Sequence, residues 1–250
     1  MTVARISFLR PVASLGFWFC VTFATVGSAR AQNTGGVFGP KVTPGSEAIE
    51  WRVAFVPDEG DLDDRFASRF HYQRTVDDDL RLRVVLQGAD LADDSADFAF
   101  AQFEAQWHFL DHEDNGWDSA LRLDYQAASR NPDLIGLNWV SDVPLGAGLK
   151  LRGIILTGFQ LGDDRDNGVF LQTRAALHYK LSDRLTAQIQ TFNFYGSTAQ
   201  DLSSDEQNHS VGPAVSGKLG NGWSFEASAL IGVSGGAADL DFRFFLAKSF

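Results

Sequence analysis

The chain has 250 residues, 21 basic against 32 acidic side chains for a net charge of −11, one cysteine, and a mean hydropathy of −0.11. Such an acidic balance excludes general attraction to the phosphate backbone, so no nucleic-acid partner is expected. A lone cysteine excludes an internal disulfide and a cysteine-based metal site.

Residues 1–31 place Arg5 and Arg10 before the apolar stretch VASLGFWFCVTFATVG, Val12 to Gly27, and close on ARA at Ala29 to Ala31. That order predicts a secretory signal peptide, with the mature chain starting at Gln32. The apolar run is shorter than the roughly 20 residues of a spanning helix. Cys20 follows FWF rather than the small residues of a lipoprotein anchor, and it leaves with the signal. Removal takes three arginines and no acid, so the mature chain carries 18 basic and 32 acidic residues, a net charge of −14. Residues 32–46, QNTGGVFGPKVTPGS, are rich in Gly and Pro and read as a flexible periplasmic leader with no fold of its own. Entry of this segment into a barrel lumen as a short plug stays open as the alternative.

From residue 47 the chain alternates. Ile49, Trp51, Val53 and Phe55 share one face against Glu50 and Arg52, and Leu80, Leu82, Val84 and Leu86 oppose Arg81, Arg83 and Gln87. Phe103, Ala105, Trp107 and Phe109 oppose Gln102, Glu104, Gln106 and His108, and Leu121, Leu123 and Tyr125 oppose Arg122, Asp124 and Gln126. A period of two with one apolar face is a strand signal, and hydropathy averaged over a window is blind to it. Twelve such runs are predicted: 47–56, 65–75, 80–88, 98–109, 117–127, 133–141, 149–159, 169–181, 185–195, 209–219, 223–233 and 239–250. The even number suits an all-β, transmembrane, antiparallel up-and-down β-barrel over residues 47–250. Ile154 and Leu156 on the polar face of the seventh run, and Pro213 within the tenth, keep ten strands open as the alternative.

The connections fall into two sets. VDDD, LDHEDNG, SDVPLGAG, LSDR and GNG are mostly tight, and two contain the Asn-Gly pair favoured in hairpin turns. PDEGDLDD, GADLADDSAD, QLGDDRDNG and GSTAQDLSSDEQNHS are longer or more acidic. The short set is expected to face the periplasm and the long set the outside. Tyr72, Trp107, Trp117, Trp139, Tyr179, Trp223 and Phe250 fall near the ends assigned to the periplasm, where amphipathic rings favour a membrane boundary.

The last run, LDFRFFLAKSF, sets Phe242, Phe244, Leu246 and Phe250 on one face and ends on an aromatic. With it the chain resembles Gram-negative outer-membrane β-barrel proteins of the porin-like class. The resemblance implies an outer-membrane location in a Gram-negative bacterium, outer-membrane lipid as surroundings, and these four residues as the assembly signal read by the barrel-assembly machinery. Lys248 departs from the pattern by occupying an outward position, which a snorkelling side chain tolerates near the boundary.

The expected lumen carries Arg69, Arg81, Arg83, Arg122, Arg152 and Arg174 together with Arg52, Lys150, Lys180, Lys218 and Arg243. The opposing acids are Glu104 and Asp124 with Glu50, Asp118, Glu226 and Asp241. The favoured reading is a narrow channel for small, preferably anionic solutes. A barrel filled by its own ion pairs, structural or acting through its acidic outer loops, is the alternative. A lipid hydrolase in the barrel wall is the third reading, and no GxSxG sequence supports it, so no catalytic residue is assigned. The stretch HFLDHED gathers His108, Asp111, His112, Glu113 and Asp114, but it lacks the HExxH spacing and sits at a turn where solvated acids are ordinary. The acids 58–64 and Asp163, Asp164 and Asp166 do not match a calcium loop. No metal or cofactor is therefore expected.

Overall fold

The computed structural model describes residues 34–57, 65–90, 97–200 and 202–250. The expected signal peptide 1–31 and most of two acidic connections lie outside them.

Twelve strands follow in chain order: β1 (Glu47–Val56), β2 (Arg65–Thr75), β3 (Leu80–Asp90), β4 (Asp97–Leu110), β5 (Asp118–Ala128), β6 (Asp133–Gly146), β7 (Leu149–Leu161), β8 (Phe170–Lys180), β9 (Leu185–Ser197), β10 (Asn208–Gly220), β11 (Trp223–Gly232) and β12 (Leu240–Ser249). Each pairs antiparallel with its chain neighbours, and β1 pairs with β12 from Ala48↔Ser249 to Phe55↔Phe242, so the sheet closes into a barrel. The ten-strand alternative is thereby excluded. β10 stays paired with β9 through Pro213↔Ile189, while towards β11 its pairs stop at Val211↔Ile231 and resume at Ala214↔Ser228. The missing proline N–H therefore falls where the ladder is already open.

The alternation sorts the side chains as the strand period requires. Trp51, Phe55, Leu82, Leu86, Phe103, Trp107, Leu123, Leu137, Trp139, Ile155, Ile189 and Phe242 are exposed on the outer wall. Arg52, Arg83, Gln87, Gln102, Glu104, Gln106, Arg122, Asp124, Asn138, Gln188, Gln190 and Arg243 are buried within. An outer wall this apolar is stable only against lipid, and an inner face this polar is stable only with its partners supplied. Together with closure, this makes the chain an outer-membrane β-barrel.

β1 begins and β12 ends at one rim, here the terminal rim, which the sequence reading assigns to the periplasm. The connections there are residues 76–79, 111–117, 147–148, 181–184 and 221–222. Asn221 (φ 50°) and Gly222 (φ 78°) form the two-residue turn expected from GNG. SDVPLGAG is not a loop: β6 continues through Pro144 to Gly146, and only Ala147 (φ 50°) and Gly148 (φ 78°) turn. DNGW is not a hairpin pair either. It belongs to a single helical turn, α1 (His112–Asn115), started by Asp111 and stopped by Gly116 at φ 78°. The Asp111 side chain accepts the Glu113 N–H at 2.8 Å, and that bond holds its carboxyl below the usual carboxylate range. At the far rim, the β5–β6 connection of residues 129–132 is short, so the long-outside pattern is uneven.

Tyr72, Trp107, Trp139, Tyr179 and Trp223 are exposed near the terminal rim, and Phe250 is 72% exposed. Lys248 bends its ammonium to the carbonyls of Asn221 and Ser249 and lies 5.4 Å from the Phe250 ring, so its charge sits among rim acceptors rather than in the apolar belt. The Phe250 N–H closes the seam by donating to the Glu47 carbonyl at 2.9 Å, while its ring packs on little. Phe250→Asp should therefore leave a barrel that can close but lower the amount recovered in the outer membrane by most of its wild-type level. Membrane fractionation with heat-modifiable gel migration measures this, and wild-type levels would show that the terminal aromatic is not read during assembly.

Candidate functional site

The described residues preceding β1 carry no alternation, and the stretch from Thr34 to Pro40 lies inside the barrel. Thr34, Val37, Phe38, Pro40 and Val42 are buried by the surrounding strands. This corrects the expectation of a leader without a fold of its own. The physical reason is mutual need: an extended Gly- and Pro-rich chain cannot bond its own carbonyls, and the inner wall carries more donors than its acids absorb.

Four arginines on four strands meet four consecutive carbonyls. Arg52 on β1 donates to Thr34 O (3.4 Å), Arg243 on β12 to Gly35 O (3.1 Å), Arg174 on β8 to Gly36 O (3.1 Å), and Arg152 on β7 to Val37 O (3.0 Å). The Gln106 amide on β4 donates to Gly39 O (3.0 Å) and Pro40 O (2.8 Å), and the Thr34 hydroxyl donates to Gln87 Oε1 (2.7 Å). Glycine is needed where guanidinium planes lie against the backbone. A Cβ on Gly39 would stand 2.6 Å from Arg152 Nη2, and one on Gly36 would stand 3.0 Å from the Phe245 ring.

The apolar anomaly of β7 has the same explanation. Ile154 and Leu156 point inward because they form, with Ala120, Val140, Ala176, Phe192 and Leu230, the socket for Val37 and Phe38. The Arg122 guanidinium lies over the Phe38 ring, 3.8 Å from its centre.

All eight lumen candidates face inward, with different partners. Arg83 reaches Glu104 (3.1 Å) and Gln73, and Arg122 reaches Glu104 (3.4 Å) and Asp124 (2.8 Å), a network across β3, β4 and β5. Arg152 pairs with Asp142 at 2.6 Å as well as with the segment. Arg69, Arg81 and Arg174 bond uncharged oxygens: Arg69 to Gln87 (2.7 Å), Arg81 to Gln106 (2.7 Å), Arg174 to Gly36 and Gln172. Arg69 pairs in register with Gln87, whereas Gln73 and Thr75 are the partners of Arg83 and Arg81, so the three arginines share a wall but not one level. Lys180 and Lys218 are exposed at the rim rather than in the lumen, and Lys180 pairs with Asp183 there. The sequence reading missed Asp142, which also holds Lys150 at 2.7 Å. The inward series Asn138, Val140, Asp142 was there to be continued, but Pro144 suggested a turn too early.

A closed twelve-stranded antiparallel barrel with an apolar belt and a charged, occupied interior defines the class: an outer-membrane barrel of porin-like architecture. The chain belongs to the family described as "Putative MetA-pathway of phenol degradation", whose model matches residues 52–242. No curated protein sequence matches it significantly. Among solved structures it is similar to an outer membrane channel from Pseudomonas putida F1, with a TM-score of 0.67, 10% identity, and coverage of 86% of this chain and 99% of that one. The KdgM porin in complex with disordered oligogalacturonate has a TM-score of 0.61 at 10% identity over 81% of this chain and 99% of that one. The NanC porin has a TM-score of 0.58 at 12% identity over 81% and 98%. At these identities the likeness is one of fold.

The contacts of Phe38 give a direct test of the segment's hold. The mature chain is expected to lack cysteine, so Thr34→Cys provides a single thiol inside the lumen. In Phe38→Asp the apolar anchor is lost, worth about 1.5–3 kcal/mol, and maleimide labelling of that thiol should accelerate roughly tenfold or more. Equal rates in the two backgrounds would show that the socket does not hold the segment.

Proposed function

We propose that the protein is a narrow outer-membrane channel for small anionic solutes with an aromatic or otherwise apolar body, and that residues 34–43 occupy the pathway as a displaceable obstruction. The observation that carries this reading is the convergence of Arg52, Arg152, Arg174 and Arg243 on neutral backbone carbonyls. An ionised oxygen is a stronger acceptor for a guanidinium than an amide carbonyl is. A passing anion can therefore take over these donors one at a time.

The lining suits such a solute on its apolar side as well. Four arginine–aromatic pairs of the wall face the interior: Arg52 with Phe245, Arg69 with Phe100, and both Arg174 and Arg243 with Phe192. Arg122 pairs with Phe38 of the segment and is freed when that leaves. The family description refers to phenol degradation, which agrees with an aromatic solute. The competing reading, a permanently filled structural barrel, draws on the pairing of Glu50, Glu104, Asp124, Asp142 and Asp241 with interior cations.

Ordering a residue costs about 1–2 kcal/mol in backbone entropy, so no single contact keeps ten residues in place and the hold is collective. Planar-bilayer recordings under a salt gradient separate the readings. The full mature chain should pass small, anion-favouring currents, deletion of residues 34–43 should raise conductance several-fold, and benzoate should reduce the current. Arg69→Ala with Arg174→Ala should weaken the anion preference. Cation preference would overturn the polarity, and silence in the folded deletion variant would favour the filled barrel.

A further inference from the structure

We propose that His108, Asp111 and Asp118 form a binding site for a divalent transition-metal ion of the Zn²⁺ kind at the terminal rim, independent of what the lumen carries. Each offers one ligand atom, and these atoms lie within 4.8 Å of one another. Tetrahedral ligands about 2.0–2.2 Å from a Zn²⁺ ion stand roughly 3.4 Å apart. His108 Nε2 and Asp118 Oδ1 already have that spacing at 3.3 Å, and a rotation of the Asp111 side chain brings in the third.

The site is assembled from three pieces of local structure. His108 stands near the end of β4 with its ring turned inward, Asp111 starts α1, and Asp118 opens β5. The pairing of β4 and β5 slips between His108 and Leu110, and α1 then folds the intervening chain back over the strand ends. This brings Asp118 Oδ1 to 3.3 Å from His108 Nε2. Both carboxylates take their backbone hydrogen bonds on Oδ1, from the N–H of Glu113 and of His112 respectively, which fixes the two groups without enclosing them.

The independent sign of a ligand is the histidine itself. The His108 side chain is 6% exposed, and its Nε2 faces Asp118 Oδ1 at 3.3 Å without the geometry of a hydrogen bond. A buried imidazole nitrogen left without a hydrogen bond is costly, whereas a metal ion between it and the carboxylate uses that lone pair. Beside the cluster lies a cavity of about 250 Å³ lined also by Asp79, Asp114 and Asn115, with room for the waters that complete a coordination sphere. One imidazole with two carboxylates favours Zn²⁺ or a neighbouring transition ion over Ca²⁺, which takes oxygen alone.

The consequence is mechanical. Gln106, two residues from His108 on the same inner face, holds the carbonyls of Gly39 and Pro40. An ion joining β4, α1 and β5 stiffens the part of the rim beside which the lumen segment leaves the barrel.

The test uses untagged, folded full-length mature protein stripped with a chelator and titrated calorimetrically with ZnCl₂ and, separately, CaCl₂. One Zn²⁺ per chain is expected, with little response to Ca²⁺. Changing an outer-shell partner of a metal site costs about 10–100-fold in affinity, so His108→Ala or Asp118→Asn, which remove a ligand, should cost at least about a hundredfold. His112→Ala, exposed on α1, should bind as the wild type does. Heat-modifiable migration verifies that each variant is folded. Absence of Zn²⁺ binding in the wild type, unchanged binding in folded His108→Ala, or preference for Ca²⁺ would each overturn the assignment.

Discussion

Within a membrane every backbone N–H and C=O of the wall has to be bonded inside the wall, and here that condition is completed at the seam between β1 and β12. Closure has a price on the inside. Alternation that turns leucine and phenylalanine towards lipid turns arginine, glutamine and glutamate into a cylinder of limited width. Those groups lose bulk water and have to be bonded by each other or by something added to the lumen. The rest of the structure is the answer to that demand.

Part of the answer is ionic. Glu104 lies between Arg83 and Arg122, and Asp142 binds both Lys150 and Arg152. A guanidinium carries five donors, however, and the acids present do not use them all. The chain upstream of β1 supplies the missing acceptors as a row of peptide carbonyls, with glycines at 36 and 39 allowing close approach. Peptide carbonyls bring no net charge, so the segment satisfies donors without neutralising the positive field of the wall. On the proposed reading, an occupied lumen keeps its attraction for an anion in this way.

The interior thus contains two kinds of contact. The Arg83–Glu104–Arg122–Asp124 network ties wall to wall and belongs to the barrel's stability. The arginine–carbonyl bonds and the socket of Ile154, Leu156 and Phe192 tie wall to segment, and they can be broken without opening a single strand pair. Local release at far lower cost than unfolding is what a displaceable obstruction requires.

The number of strands, their limits to within a few residues, the inward or outward sense of most side chains and the aromatic rim were all legible in the sequence. Each follows from a period of two and from turn chemistry, which are local. Where local chemistry was ambiguous, the reading erred: Pro144 and the Asn115–Gly116 pair suggested turns, while pairing with β7 extends β6 and the Asp111 cap starts a helix. Ile154 and Leu156 looked like defects in a polar face until their partners, Val37 and Phe38, were seen more than a hundred residues away in sequence. The same distance hid the acceptors of Arg152, Arg174 and Arg243, while the approach of His108 to Asp118, close in sequence, depends on a slip in strand register and a helical turn that the alternation does not announce. Sequence alone determined the wall, because a strand's alternation is written in adjacent residues. Only the tertiary structure decided what fills it, because the lumen is a surface that exists only once β12 has met β1.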